Sequence, residues 1–241
     1  LRGHLGRVSC AAFAPDGRTL ASASFDMTVQ IWDAKSRTPY FALIGHSNFV
    51  HAMAYAPDGR FLVSGSHDGT LRAWSLPPER EPLQISTGPD LLLAVAVTAD
   101  GRRIAGAFTD GTVQCWDSQT GTRAFRQPGH VGWVRAIAAS PDGRTIASAG
   151  DDGIIRLWDS TSGRALGSLA GHKEFVTSLA YLPDGTLVSG GADNRVRLWD
   201  GAGREVVAHD GHEDAVTDLL FSPDGRTLFT AGSDSTVRRW D

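Results

Sequence analysis

Residues 129–159 read GHVGWVRAIAASPDGRTIASAGDDGIIRLWD, and this stretch decides the fold. After Gly129-His130 comes an apolar run, Val134 to Ala139, followed by a turn at Pro141-Asp142-Gly143. Asp-Gly between two apolar runs signals a hairpin, because glycine accepts the positive φ that a tight turn needs. Thr145 to Ala149 reads as a strand of small residues. A second tight turn at Asp151-Asp152-Gly153 leads to Ile155-Arg156-Leu157-Trp158-Asp159. After a polar loop there is a fourth apolar stretch, Ala165 to Leu169. The unit is therefore a set of short strands joined by tight turns.

The same marks recur along the chain. Trp32, Trp74, Trp116, Trp158, Trp199 and Trp240 are spaced 42, 42, 42, 41 and 41 residues apart. Asp follows five of them (Asp33, Asp117, Asp159, Asp200, Asp241), and Ser75 follows the other. Gly-His pairs at Gly3-His4, Gly45-His46, Gly129-His130, Gly171-His172 and Gly211-His212 stand 28 or 29 residues before five of the tryptophans. Pro-Asp-Gly marks the first turn in five units, Ala99-Asp100-Gly101 in the third. A period of 40–45 residues carrying these marks selects a β-propeller over a sandwich or barrel. One domain, 1–241, holds six repeats at about 1–42, 43–85, 86–127, 128–169, 170–209 and 210–241.

These recurring positions resemble the WD-repeat family over the whole chain. The resemblance implies an all-β fold, with four-stranded antiparallel blades set radially around a channel. The sixth WD repeat reaches only Trp240-Asp241, so the last blade is expected to be incomplete. It also implies that each repeat gives the outer strand of one blade and the inner three of the next. A buried indole N–H is a donor only and needs an acceptor. Ser22, Ser64, Ser148, Ser189 and Thr230 stand ten residues before a tryptophan. Asp26, Asp68, Asp110, Asp152, Asp193 and Asp234 stand six before. The family pattern joins these to His4, His46, His130, His172 and His212. The hydroxyl accepts from Trp and donates to His, and the imidazole donates its other N–H to Asp. Each link is worth about 0.5–1.5 kcal/mol net, whereas an unpaired indole costs about 1–3 kcal/mol.

A Ser-His-Asp set also suits a hydrolase, but an enzyme builds one activated nucleophile in one pocket. Here the set recurs in nearly every repeat, tied to a Trp. No nucleophile elbow, P-loop, GxGxxG or HExxH motif occurs, so no catalytic residue, cofactor or metal is expected. A propeller enzyme would need unrepeated acids, bases or metal ligands at the channel mouth. The net charge of −4 disfavours nucleic-acid binding, which needs a basic surface. Cys10 and Cys115 lie in different repeats without a partner at metal-ligand spacing and read as two buried thiols. No stretch approaches the 18 apolar residues of a membrane span, and no signal peptide is visible, which points to a cytoplasmic, monomeric domain. Nearly all basic residues are arginine, with Lys35 and Lys173 the exceptions, which suggests a high-GC bacterial genome.

Units that depart from the pattern are informative. In the third, Gly88 or Pro89 takes the His position and Gly106 the Ser position, leaving Asp110 and Trp116. That blade is expected to depend on Leu91, Leu92, Leu93, Val95 and Val97. Small residues fit an inner strand crowded near the channel: Cys10, Ala12, Ala52, Ala54, Ala94, Ala96, Ala136, Ala138, Ser178 and Ala180. Asp218 and Leu220 break that rule, and Arg239 stands where other units carry Ile31, Ala73, Cys115, Leu157 and Leu198. Two readings of closure stay open. The chain is part of a longer array, commonly of seven blades, or a six-bladed ring with an incomplete last blade.

Repeat proteins bind through residues that vary on a fixed frame. Two loop sets share the narrow face in this family. They place Arg7, Phe49, Trp133 and Phe175 just before inner strands, and Phe25 and His67 just before the structural Asp. Aromatic residues and Arg are the usual interface anchors. The expected function is a non-catalytic scaffold or sensor that binds a protein or peptide partner around the channel mouth. The alternative is a C-terminal accessory domain of a bacterial signalling enzyme whose catalytic module lies upstream. Amide hydrogen exchange is expected to be fastest, among interior blades, in the third unit, which lacks the polar relay. Exchange slower there than in its neighbours would overturn that expectation.

Overall fold

The computed structural model describes residues 1–78, 80–222 and 226–240. The Pro223-Asp224-Gly225 turn and Asp241 lie outside the described residues. The first sheet comprises β1 (Val8–Phe13), β2 (Thr19–Ser24), β3 (Thr28–Asp33) and β4 (Pro39–Ile44). The second comprises β5 (Val50–Tyr55), β6 (Phe61–Ser66), β7 (Thr70–Ser75) and β8 (Leu83–Ser86). The third holds β9 (Leu92–Val97), β10 (Arg103–Phe108), β11 (Thr112–Asp117) and β12 (Arg123–Pro128). The fourth holds β13 (Val134–Ala139), β14 (Thr145–Gly150), β15 (Ile154–Asp159) and β16 (Ala165–Ala170). The fifth holds β17 (Val176–Tyr181), β18 (Leu187–Gly191), β19 (Arg195–Trp199) and β20 (Glu205–Asp210). The sixth has three strands, β21 (Val216–Phe221), β22 (Leu228–Gly232) and β23 (Val237–Trp240).

Every sheet is an antiparallel meander, and the inner strands β1, β5, β9, β13, β17 and β21 pack on one another in that order. The molecule is an all-β propeller of six blades, the last with three strands. No helix among the described residues is long and apolar enough to cross a membrane.

The core consists of layers between adjacent blades. Val29, Ile31 and Leu43 of the first blade pack with Val50, Leu62 and Trp74 of the second. Leu71 and Ile85 of the second pack with Leu92, Ile104 and Trp116 of the third, and the pattern continues around the fold. One blade therefore cannot bury its own faces. Each needs its neighbour, which is why the repeat is legible in sequence.

One residue of every inner strand is skipped by the pairing register. Val134 faces Gly150 and Ala136 faces Ala149, so Arg135 bulges out. The same bulge falls at Ser9, His51, Leu93, Thr177 and Thr217. A bulge re-aims a side chain. Ser9 Oγ donates to its own blade at Ala23 O (3.1 Å) and to the next blade at Val50 O (2.7 Å). Thr177 repeats this with Gly190 O (2.8 Å) and Val216 O (2.5 Å).

The third blade has an apolar plug in place of the relay. Phe108 stands where the other blades have Ser or Gly, and meets Trp116 edge-on at 6.1 Å between centroids. Leu92 replaces the Val of the other inner strands, and a Cβ on Gly106 would lie 2.6 Å from it. Gly106 is thus the cost of admitting Leu92. Val95 and Val97 are buried as expected, but Leu91 is 38% exposed and Leu93, on the bulge, only half-buried. The sequence-based list of packing residues is corrected there: Phe108, not Leu91 or Leu93, fills the gap.

Among the described residues, β21 does not pack on β1 as the other neighbouring inner strands pack. Both open flanks expose apolar side chains, Val8 (48%) and Phe13 (60%) on the first blade and Leu220 (63%) and Val237 (72%) on the sixth. Trp240 is half-buried, whereas the other five repeat tryptophans are buried. Asp218 and Arg239 are exposed, so the odd residues of the sixth unit lie on the open side. Phe108→Ala should lower stability by about 3–5 kcal/mol in urea unfolding, as for a buried aromatic truncation. A loss below about 1 kcal/mol would show that the plug does not fill the place of the relay.

Candidate functional site

The polar relay has short, uniform geometry. The indoles of Trp32, Trp74 and Trp158 donate to Ser22, Ser64 and Ser148 at 2.8 Å. Trp199 donates to Ser189 at 2.9 Å and Trp240 to Thr230 at 3.0 Å. Each hydroxyl meets the Nε2 of its His, from 2.7 Å at His4 to 2.8 Å at His46, His130 and His172, and 2.7 Å at His212. Nδ1 then meets Asp26, Asp68 and Asp193 at 2.8 Å, Asp234 at 2.9 Å and Asp152 at 3.0 Å. The carboxylate fixes the tautomer, with the proton on Nδ1 and the lone pair of Nε2 turned to the hydroxyl.

The Asp gathers more than the imidazole. It accepts the backbone N–H of the residue after His: Leu5, Ser47, Val131, Lys173 and Glu213. It therefore ties the Gly-His loop to the turn between the second and third strands. Thr28, Thr70, Thr112 and Thr236 also donate their hydroxyls to it. Their position two residues after the Asp was visible as a recurrent Asp-x-Thr, and the relay pattern alone missed it. The Arg two residues before Trp was missed as well: Arg156 donates to Asp152 at 2.6 Å, and Arg197 reaches Asp193 at 3.5 Å. In the third blade Asp110 takes Arg126 of the outer strand instead of a His.

This arrangement has no reachable nucleophile. The relay hydroxyls are buried, each accepting an indole proton and pointing at an imidazole. Burial lowers the pKa of His46, His130 and His172, although the facing Asp works in the other direction. Burial would raise the carboxyl of Asp26, but donation from Thr28, the Leu5 N–H and His4 outweighs it and holds the group at about 2. Asp68, Asp110, Asp152, Asp193 and Asp234 are lowered by comparable donors against the same burial. Burial pushes the Cys10 and Cys115 thiols up to about 11 and about 12, which keeps them protonated. Among the described residues no group of three or more His, Cys, Asp or Glu is placed to hold a metal ion.

The residues expected on the binding face fall into two clusters. Between the first and second blades, Phe25 and Phe49 stack at 4.6 Å with rings 12° apart. The Arg7 guanidinium lies over Phe25 at 5.7 Å, and His67 approaches Phe49 at 6.1 Å. Between the fourth and fifth blades, Trp133 and Phe175 are bridged by Arg135, at 5.2 and 4.7 Å from the two rings. Arg135 pairs with Asp151, whose other oxygen accepts the Trp133 N–H at 3.0 Å. His51 and Arg135, the bulge residues, were not singled out from sequence. No propensity signal marks a register shift, so their sideways aim was not legible.

The WD40 family (WD domain, G-beta repeat) matches residues 1–33, 37–75, 80–117, 121–159, 163–200 and 203–241. A segment such as 37–75 takes the outer strand β4 of one blade and β5, β6 and β7 of the next. The chain is 49% identical over 41 residues to a Notchless protein homolog of Arabidopsis thaliana, covering 17% of the chain and 9% of that protein. It is 50% identical over 42 residues to WD repeat-containing protein 38 of Mus musculus, covering 17% of the chain and 14% of that protein. Each match is one repeat long, so it reports the shared frame of a blade.

The pKa shifts give stability a definite pH dependence. In the unfolded chain His protonates near pH 6.5 and Asp near 3.9. A group lowered by folding contributes stability that is present above its unfolded pKa and lost as pH falls toward its folded value. The urea midpoint should be highest above about pH 6.5. It should fall first through the His46, His130 and His172 window, then steeply below about pH 4 as the relay carboxylates are approached. A midpoint that is flat from pH 8 to 4, or maximal near pH 5, would contradict this assignment.

Proposed function

The chain belongs to the WD40 repeat family, and on that footing we propose that it is a non-catalytic platform for a protein or peptide partner. The partner docks on the face built from the Gly-His loops and the adjoining turns. The observation that carries this reading is the exposure of large aromatic rings there. Phe49 is 38%, Trp133 47% and Phe175 37% exposed, next to loops whose backbone is fixed by half-buried Asp residues. An aromatic ring held on a rigid frame loses little entropy when covered, which favours its use as an anchor.

The packing of these rings across neighbouring blades also supports the reading. The Phe25–Phe49 stack and the Trp133–Arg135–Phe175 sandwich preorganise two contact points on one face. The relay residues, from His4 to Trp240, serve by holding that face and do no chemistry.

Peptides selected from a random displayed library against the domain should lose about tenfold or more in affinity with Phe49→Ala or Trp133→Ala. Circular dichroism and the urea midpoint of the variants should match the parent. Selected peptides that bind both variants as tightly as the parent would overturn the assignment of this face.

A further inference from the structure

The two aromatic clusters are built on equivalent positions but differ in charge. In the fourth blade the bulge residue is Arg135, and the residue before the structural Asp is Asp151. Their ion pair closes the charge inside the cluster, under Trp133 and Phe175. In the second blade the same two positions are His51 and His67. The imidazoles meet edge to face at 5.2 Å, and no acid stands where Asp151 would be.

Arg7 brings a third nitrogen group from the first blade. Among the described residues, Arg7, His51 and His67 form no ion pair. Nδ1 of His51 is buried without a hydrogen-bond partner. Burial, then His67, then Arg7 all push His51 toward its neutral form, and no carboxylate opposes them. The two nearest structural acids are already committed, Asp26 to His4 and Asp68 to His46. The backbone N–H of Phe49 is satisfied by Asn48 at 2.8 Å, so an incoming group meets side chains there, not the main chain. A buried polar nitrogen without a partner is costly, and a charge-assisted bond relieves that cost more fully than a neutral one.

We infer that Arg7, His51 and His67, beside the Phe25–Phe49 stack, form a donor site for a carboxylate side chain of a partner peptide. The peptide supplies to the second blade the acid that Asp151 supplies to the fourth. It carries Asp or Glu close to an apolar or aromatic residue that covers Phe49. This inference rests on the partner-binding face proposed above and adds its chemical selectivity. The neutral cluster at Trp133 gives contact area, and the cationic one decides which partner stays. Complementary charge of this kind suppresses wrong partners more than it adds affinity.

The test is the same displayed selection, followed by titration of synthetic winners against twins in which each Asp or Glu is replaced by its amide. Selected peptides should carry an acid near an apolar residue, and the amide twin should bind about tenfold weaker or worse. Arg7→Gln and His67→Gln, tested singly, should each weaken the acidic peptide and leave the twin unchanged. Arg7→Glu, at an exposed site, should reverse the preference between peptide and twin. Winners that lack acids yet still depend on Phe49 overturn the carboxylate site and leave the binding face standing. A selection that yields no binder, or winners insensitive to both Phe49→Ala and Trp133→Ala, overturns both.

Discussion

An indole N–H that leaves water must find an acceptor, and in five of the six blades it finds the hydroxyl of a Ser or Thr on the adjacent strand. The rest of each blade follows from that bond. The hydroxyl, having accepted, turns its own proton to an imidazole. The imidazole, tethered by the Gly-His loop, carries the chain of bonds to an Asp in the next turn. That Asp holds the loop by its backbone N–H. Two strands and two connections are thus fixed by one buried sequence of donors and acceptors. Satisfied networks of this kind specify a single arrangement, because each unmade bond would strand a polar group in a low-dielectric interior.

The third blade shows what happens when the relay is deleted as a unit. Removing His alone would leave a buried hydroxyl and a buried carboxylate without their partner. Instead the hydroxyl is also gone, at Gly106, and the space is taken by Leu92 and Phe108 against Trp116. Replacing both partners of a buried pair by well-packed apolar groups costs far less than removing one. Asp110 survives because Arg126 and Thr112 occupy it from outside the relay.

The bulge on each inner strand links frame and function. It releases one side chain per blade from the alternation of the strand, and in the first, second, fourth and fifth blades that side chain reaches a neighbouring blade. Where that residue is Ser9 or Thr177, it joins blades by a hydrogen bond to the neighbour's carbonyl. Where it is Arg135 or His51, it enters an aromatic cluster on the loop face. A single backbone irregularity thus serves cohesion in some blades and supplies the polar centre of a contact site in others. Thr217 of the sixth blade bonds to Ala231 of its own blade, matching the open flank on that side.

The fold class, the number of repeats and the membership of the relay were legible in the sequence. They depend on local turn chemistry and on a bond pattern that must recur at one spacing, since every blade presents its indole to the same neighbour. The exposed aromatics Phe49, Trp133 and Phe175 were also legible as departures from that pattern. The tertiary structure alone decided three things: that Phe108 replaces the relay in the third blade, that the anchors divide into two clusters, and that His51 and Arg135 are their polar centres. Each depends on where a side chain points once two blades are pressed together. A one-residue shift in strand pairing sets that direction, and neither propensity nor spacing along the chain encodes it.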